Sequence, residues 1–206
     1  MRGGVITAGG YSTRFGESDK ALAQIDSTPM LRHVADRLAP VIDTLVVNGR
    51  FDQLDTFAEA MDGYPHPVAY AADEHEGRGP VDGIATGLAA LDPTIEHAVV
   101  VACDMPGVDP TVLDALFMRA TTSHADAIVP RTDDGWLQVL HAVYRPRPMI
   151  DAARRALVDE ERKVLAPLDH LDVEIVDAGE LPSLAASCAN VNTRDELDAI
   201  ERRLTE

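Results

Sequence analysis

Lysine is nearly absent from this chain: of 18 basic residues only Lys20 and Lys163 are lysines. Cysteine is as scarce, with Cys103 and Cys188 forming no C-x-x-C pair, which argues against both a disulfide framework and a thiolate zinc site. Aromatic residues make up 4% of the 206 positions, so a core has to be assembled mainly from Ala, Val, Leu and Ile, as in parallel α/β sheets. There is no basic run, and 35 acidic residues leave a formal charge of -17, which repels nucleic acid and anionic membrane surfaces. No apolar run approaches the roughly 18 residues of a membrane helix, and no signal-like core follows the N-terminus. These absences predict a soluble cytoplasmic protein with reduced thiols and no nucleic-acid or membrane partner. Carboxylate excess combined with arginine in place of lysine points to a halophilic source.

What is present is a regular alternation. Short apolar runs at Gly4 to Thr7, Leu45 to Val47, Ala98 to Ala102 and Ala127 to Val129 read as strands buried on both faces. Helical stretches separate them. Thr28-Pro29 reads as an N-cap and first turn before Met30, Leu31, Val34 and Leu38. Pro80 to Leu91 forms a second helix, and Asp109-Pro110 opens a third with Leu113, Leu116 and Phe117 inward. Leu137 to Tyr144 alternates loosely and suggests an added antiparallel strand. Met149 to Val158 is a further helix, Val173 to Val176 a further strand, and Thr193-Arg194-Asp195-Glu196 a capping box ahead of Leu197, Ile200 and Leu204. The expected fold is a three-layer, Rossmann-like α/β domain over residues 1–206, its sheet mostly parallel with a small antiparallel addition.

The first strand runs into A-G-G-x-S-x-R-F-G-x-x-D-K, from Ala8 to Lys20. Glycines after a strand let backbone N–H groups approach a phosphate closely. The spacing of Gly9, Gly10 and Gly16 fails the G-x-G-x-x-G dinucleotide fingerprint, and Gly16 is followed by Glu17-Ser18-Asp19 rather than the Lys-Ser/Thr of a Walker loop. The stretch reads as a phosphate loop with Arg14 and Lys20 as its cations. Asp104 falls just past the carboxyl end of the Ala98 to Ala102 strand, where open α/β sheets bind ligands, and offers a hard oxygen to magnesium; a turn cap is the simpler reading of the same residue. Asn48, before Gly49, is equally a turn former.

With Thr7 in place of Leu and Phe15 in place of Met, this loop resembles the signature of nucleotidyltransferases that make molybdenum cofactor dinucleotides, above all the molybdenum cofactor guanylyltransferases. Gly9 leans towards guanine, since an A-A-G variant resembles the cytidylyltransferases. The resemblance extends to Cys103-Asp104-Met105-Pro106, to Asp73 before Gly79-Pro80-Val81-Asp82-Gly83, to Glu161-Arg162-Lys163-Val164 and to Asn190-Val191-Asn192-Thr193. It implies a fold of the nucleotide-diphospho-sugar transferase type and transfer of GMP from GTP to the terminal phosphate of a molybdopterin-type cofactor, with release of pyrophosphate. The implied nucleotide contacts are Thr7, Ala8, Gly9, Gly10, Lys20, Asn48, Asp73 and Asp104. Arg14, Lys20 and Asp104 are implied as catalytic, Asp104 as the ligand of Mg2+, and Lys163, Asn190 and Asn192 on the acceptor side. Transient docking to molybdoenzymes or other proteins of the cofactor pathway is a further implication.

Other chemistries find little support. The seven histidines lack metal-ligand spacing, and Ser12 has neither a His-Asp partner nor a G-x-S-x-G setting. Two alternatives stay open: a related nucleotidyltransferase using CTP or acting on a cobalamin precursor or sugar phosphate, and a non-catalytic carrier of nucleotide or cofactor.

Overall fold

A computed structural model describes residues 1–10, 19–73, 79–161 and 163–205. In chain order the elements are β1 (Arg2–Thr7), β2 (Gln24–Ile25), β3 (Thr28–Pro29), α1 (Met30–Leu38), β4 (Thr44–Gly49), α2 (Leu54–Ala60), β5 (Val68–Ala72), α3 (Pro80–Ala89), β6 (His97–Ala102), α4 (Pro110–Thr122), β7 (Ala127–Arg131), β8 (His141–Tyr144), α5 (Pro146–Val158), β9 (Val173–Asp177), α6 (Leu184–Ser187) and α7 (Arg194–Thr205). Seven strands form one sheet in the order β5-β4-β1-β6-β8-β7-β9, and β2-β3 form a small antiparallel pair.

Only β8 runs against its neighbours in the seven-stranded sheet: it pairs antiparallel with both β6 and β7, while β1, β4, β5, β6 and the β7-β9 pair are joined by parallel ladders. The loosely alternating Leu137 to Tyr144 segment therefore supplies the expected antiparallel strand, shortened to its last four residues. The continuous apolar runs are buried on both sides. Ile6, Val47, Val99, Val101, Ile128 and Val143 pack on the layer of α1, α2 and α4. Val5, Val46, Val100, Ala127, Val129 and Ala142 pack on α3 and α5, through Ile84, Leu88 and Met149. Each large aliphatic side chain taken out of water in this way contributes roughly 1.5–3 kcal/mol. The result is the expected three layers. α3 lies unusually close to the sheet because Gly87 faces Val5, where an added Cβ would stand 2.5 Å from Val5 Cγ1.

Local signals acted as read at two helix starts. Asp109 accepts from Thr111 N at 2.9 Å ahead of Pro110, and the Thr193 hydroxyl accepts from Glu196 N while the Glu196 carboxylate accepts from Thr193 N. At Thr28-Pro29 the reading needs correction. Both residues belong to β3, paired with β2, and Pro29 precedes α1 without any side-chain cap. Met30 N donates instead to Ala23 O at 2.8 Å, so the hairpin rather than a threonine closes this helix end. β5 and α2 carried no recognisable sequence signal.

Candidate active site

The carboxyl ends of β5, β4, β1 and β6 lie side by side, and the candidate residues follow that line. Thr7 pairs with Asn48 in β4 and with Ala102 in β6. Beyond it, Ala8 N donates to Asn48 O at 2.8 Å, and Cys103 N donates to Thr7 O at 3.0 Å. The parallel ladders thus carry the start of the glycine loop to the same height as Asn48 and Asp104.

On the β4-β5 side a compact buried group forms. Asn48 is 1% exposed; its amide donates to Ala71 O at 3.1 Å and to Asp73 Oδ1 at 2.9 Å. It lies within β4, so the Asn48-Gly49 pair makes no turn. An added Cβ on Gly9 would stand 2.5 Å from Asp73 Oδ2, and one on Gly83 would stand 2.5 Å from Asn48 Oδ1. A side chain at either glycine would displace the Asn48-Asp73 pair, which reads the glycines of two motifs as one packing arrangement. Burial raises the pKa of Asp73 above the usual carboxylate range, the hydrogen bond from Asn48 opposes this, and the charge of Asp82 adds to the rise.

On the β6 side the group is assembled from three distant segments. Lys20 Nζ donates to Asp104 Oδ2 at 2.8 Å and to Asn192 Oδ1 at 2.9 Å. Val191 N donates to Asp104 O at 2.8 Å, drawing the C-terminal segment against the end of β6. The Lys20 and Asp104 side chains keep 12% and 23% of their surface exposed, enough to meet a ligand while excluding bulk water from most of the contact. Cys103, between them in sequence, is not a nucleophile here: burial, reinforced by the Asp104 charge, pushes its thiol far above the ordinary range.

Three supporting contacts escaped the sequence reading. Arg50 Nη1 donates to Gly9 O at 3.3 Å and Gly10 O at 3.2 Å, bracing the loop from the end of β4. Asp19 Oδ1 accepts from Ala21 N at 3.0 Å, and its other oxygen accepts from Gln53 Nε2. That pair ties the turn bearing Lys20 to the segment after β4. A third support is deeper: Asp109 N donates to Ser187 Oγ at 2.8 Å, and Ser187 Oγ lies 3.0 Å from His141 Nε2. Ser187 and His141 are fully buried, and burial lowers the imidazole to about 4, so it is neutral near pH 7. This node fixes α6, and with it the approach to Asn192, onto β8. Asp19 belongs to the glycine-loop motif, but no motif signals Arg50, Gln53, Ser187 or His141, because each works through its place in the fold.

Not every candidate joins these groups. Asn190 is exposed beside Val191, and Lys163 is exposed beyond α5, its side chain making no hydrogen bond or ion pair with a described residue. Arg14 lies outside the described residues, as do Ser12 and Arg162. Among the described residues no helix is long and apolar enough to cross a membrane.

Comparison with known proteins meets this geometry. The MobA-like NTP transferase domain matches residues 4–173. A protein of Natronomonas pharaonis named probable molybdenum cofactor guanylyltransferase is 43% identical over 210 residues, spanning 99% of this chain and 98% of its own length. One of the same name from Haloferax mediterranei is 34% identical over 206 residues, spanning 98% of this chain and 94% of its own. Both organisms are haloarchaea, in keeping with the acidic, lysine-poor composition. The crystal structure of molybdopterin-guanine dinucleotide biosynthesis protein A from Archaeoglobus fulgidus superposes with a TM-score of 0.79 at 26% identity, covering 100% of this chain and 99% of that one. Fold, glycine loop and sequence similarity agree, and the chain belongs to the MobA-like NTP transferase family.

Proposed function

We propose that this protein transfers GMP from GTP to the terminal phosphate of a molybdopterin-type cofactor, releasing pyrophosphate. The observation that carries the reading is the Lys20 bridge to Asp104 and Asn192, set beside the Gly9-Asn48-Asp73 group in a chain whose relatives are named for this activity. Thr7, Ala8, Gly9 and Gly10 bring main chain close to the nucleotide. Asp73 faces it, and Asn48, being buried, acts by fixing Asp73.

An oxygen of the acceptor phosphate attacks the α-phosphorus of GTP, a new P–O–P bond forms, and the bond to the β-phosphate breaks with its electrons leaving on pyrophosphate. The attacking phosphate is already an anion and needs no general base. Rate enhancement then comes from alignment and from charge placed in advance. Lys20 is held in advance by two oxygen acceptors, so its ammonium is oriented before the triphosphate arrives. Arg14 adds a second cation from the loop.

The donor chemistry suits magnesium. Among the described residues no three His, Cys, Asp or Glu side chains converge to cage a metal, whereas Mg2+ at nucleotide sites uses one or two carboxylates together with substrate phosphates and water. Asp104 would hold it, and bound there it supplies charge neutralisation to the triphosphate. Asn192, Asn190 and Lys163 are assigned to the acceptor side on the family resemblance of their motifs.

The test is turnover of GTP with and without molybdopterin, with the product identified by mass. A guanine dinucleotide and stoichiometric pyrophosphate are expected. Turnover with CTP in preference to GTP would overturn the choice of nucleotide, and nucleotide binding without transfer would favour a carrier.

A further inference from the structure

Trp136 is the only tryptophan in the chain, and it is 66% exposed. A large aromatic left in water in so aromatic-poor a protein forgoes burial that its core could use. Its backbone, in contrast, is well fixed. Thr132 N donates to Trp136 O at 3.0 Å, the Thr132 hydroxyl donates to Asp134 Oδ1 at 2.5 Å, Gly135 N donates to Thr132 O at 2.8 Å, and Gly135 makes the turn at φ 88°. Leu137, next along, bridges to Arg131 and points into the core layer of α3 and α5. A rigid turn therefore holds the indole out.

Strand register shows where. His141 is level with Val101 in β6, and Ala127 and Ile128 in β7 are level with Tyr144 and Val143 in β8. Ile128 in β7 and Val99 in β6 are both level with Val143, so Arg131, three residues further along β7, reaches about the height of Ala102, three residues further along β6, and its bridge partner Leu137 stands beside it. Trp136 is one residue further out, at the height where the chain leaves β6 for Asp104. It is displaced from the line of β6 by one to two strand spacings, roughly 5–10 Å. The displacement is away from β1, β4 and β5, on the opposite side of the Lys20-Asp104 bridge from Asn48 and Asp73.

We infer that Trp136 is the stacking platform for the flat heterocycle of the acceptor, a pterin, while the acceptor's phosphate lies at the Lys20-Asp104 bridge. This rests on the transfer reaction proposed above. The nucleotide side of the centre is taken by the Gly9-Asn48-Asp73 group, so the second flat ring of the reaction falls to the β8 side, where this indole stands. Stacking suits the task, since it grips a planar ring through its face at low conformational cost.

The full chain, Trp136→Ala and Trp136→Phe are compared in steady-state transfer from GTP to molybdopterin. Trp136→Ala should raise the acceptor KM about tenfold, the scale of a lost aromatic stack, leave the KM for GTP within about twofold, and Trp136→Phe should recover most of the loss. An unchanged acceptor KM in Trp136→Ala overturns the assignment, and so does a rise confined to GTP. Absence of transfer by the wild-type chain would instead overturn the reaction, and calorimetric titration with pterin-6-carboxylate then decides about Trp136. Weaker binding to Trp136→Ala, restored in Trp136→Phe, upholds the platform; equal binding by all three, or no binding, overturns it.

Discussion

The two halves of the candidate site are built in opposite ways. The Gly9-Asn48-Asp73 half is made by adjacent parallel strands whose ladder bonds set the positions, and its side chains are packed so closely that a Cβ added at Gly9 or Gly83 would displace them. The Lys20-Asp104-Asn192 half joins residues 84 and 172 positions apart through side-chain hydrogen bonds, with the third segment anchored remotely by the Ser187-His141 node. One half is positioned by register, the other by polar contacts. A nucleotide needs a fixed cradle; a transfer centre needs charges that can exchange partners as bonds form and break.

The difference is sharpest at the bridge. Lys20→Ala should lower kcat about 10²–10³-fold, the usual cost of one electrostatic donor at the reacting phosphate, measured by pyrophosphate release at saturating substrates. Near-normal turnover would remove Lys20 from the mechanism. Asp104→Asn should shift the magnesium titration of the same assay to higher concentration, and an unchanged titration would refute its role as ligand.

In the packed half, a single methyl group should suffice. Gly83→Ala forces Asn48 away from Asp73, and a displacement of this size costs roughly tenfold to a hundredfold in catalytic efficiency. Here the loss should appear mainly in the KM for GTP, read from initial rates over a GTP series, while the acceptor KM stays put. A loss falling equally on both substrates would show that the halves are not separately built.

Smaller effects are expected at the remote anchor. Ser187→Ala leaves the part-buried Asp109 N–H without its acceptor, at a cost of about 1–3 kcal/mol; in a domain of this size the melting temperature should fall about 2–4 °C for each kcal/mol. His141 gives the anchor a pH dependence. The unfolded imidazole takes up a proton near 6.5, whereas the folded one resists until about 4. The unfolded state therefore binds more protons in between, so stability should decline as pH falls from about 6.5 towards about 4 and then level off. Chemical denaturation across that range checks it, and His141→Gln should flatten this component.

How much of this was legible in sequence follows from the kind of contact involved. Buried strands announce themselves as apolar runs, and caps such as Asp109 and Thr193 act within three residues, so both are readable locally. Gly9, Asn48, Asp73, Lys20, Asp104 and Asn192 could be named because they belong to ordered motifs resembling a known family, but the pairings among them could not. That Asn48 bonds to Asp73 rather than making a turn depends on β4 lying next to β5, which is a tertiary fact. Arg50 and Ser187 carry no local pattern, and Gln53, which accepts locally from Arg50 N, gives no sign of its bond to Asp19; these partners are loop carbonyls, a side chain or a part-buried amide brought near only by folding. Thr28-Pro29 misled because a helix-start dipeptide is also compatible with a strand end.

The scarcity of lysine has a practical consequence at the bridge. The sequence offers reagents only two lysine amines, Lys20 and Lys163, and Lys20 alone is held between Asp104 and Asn192. A nucleotide dialdehyde that forms an imine and is trapped by borohydride thus has very few addresses to choose from, and peptide mapping distinguishes them at once. So sparing a use of lysine leaves the candidate transfer centre open to covalent labelling with almost no background.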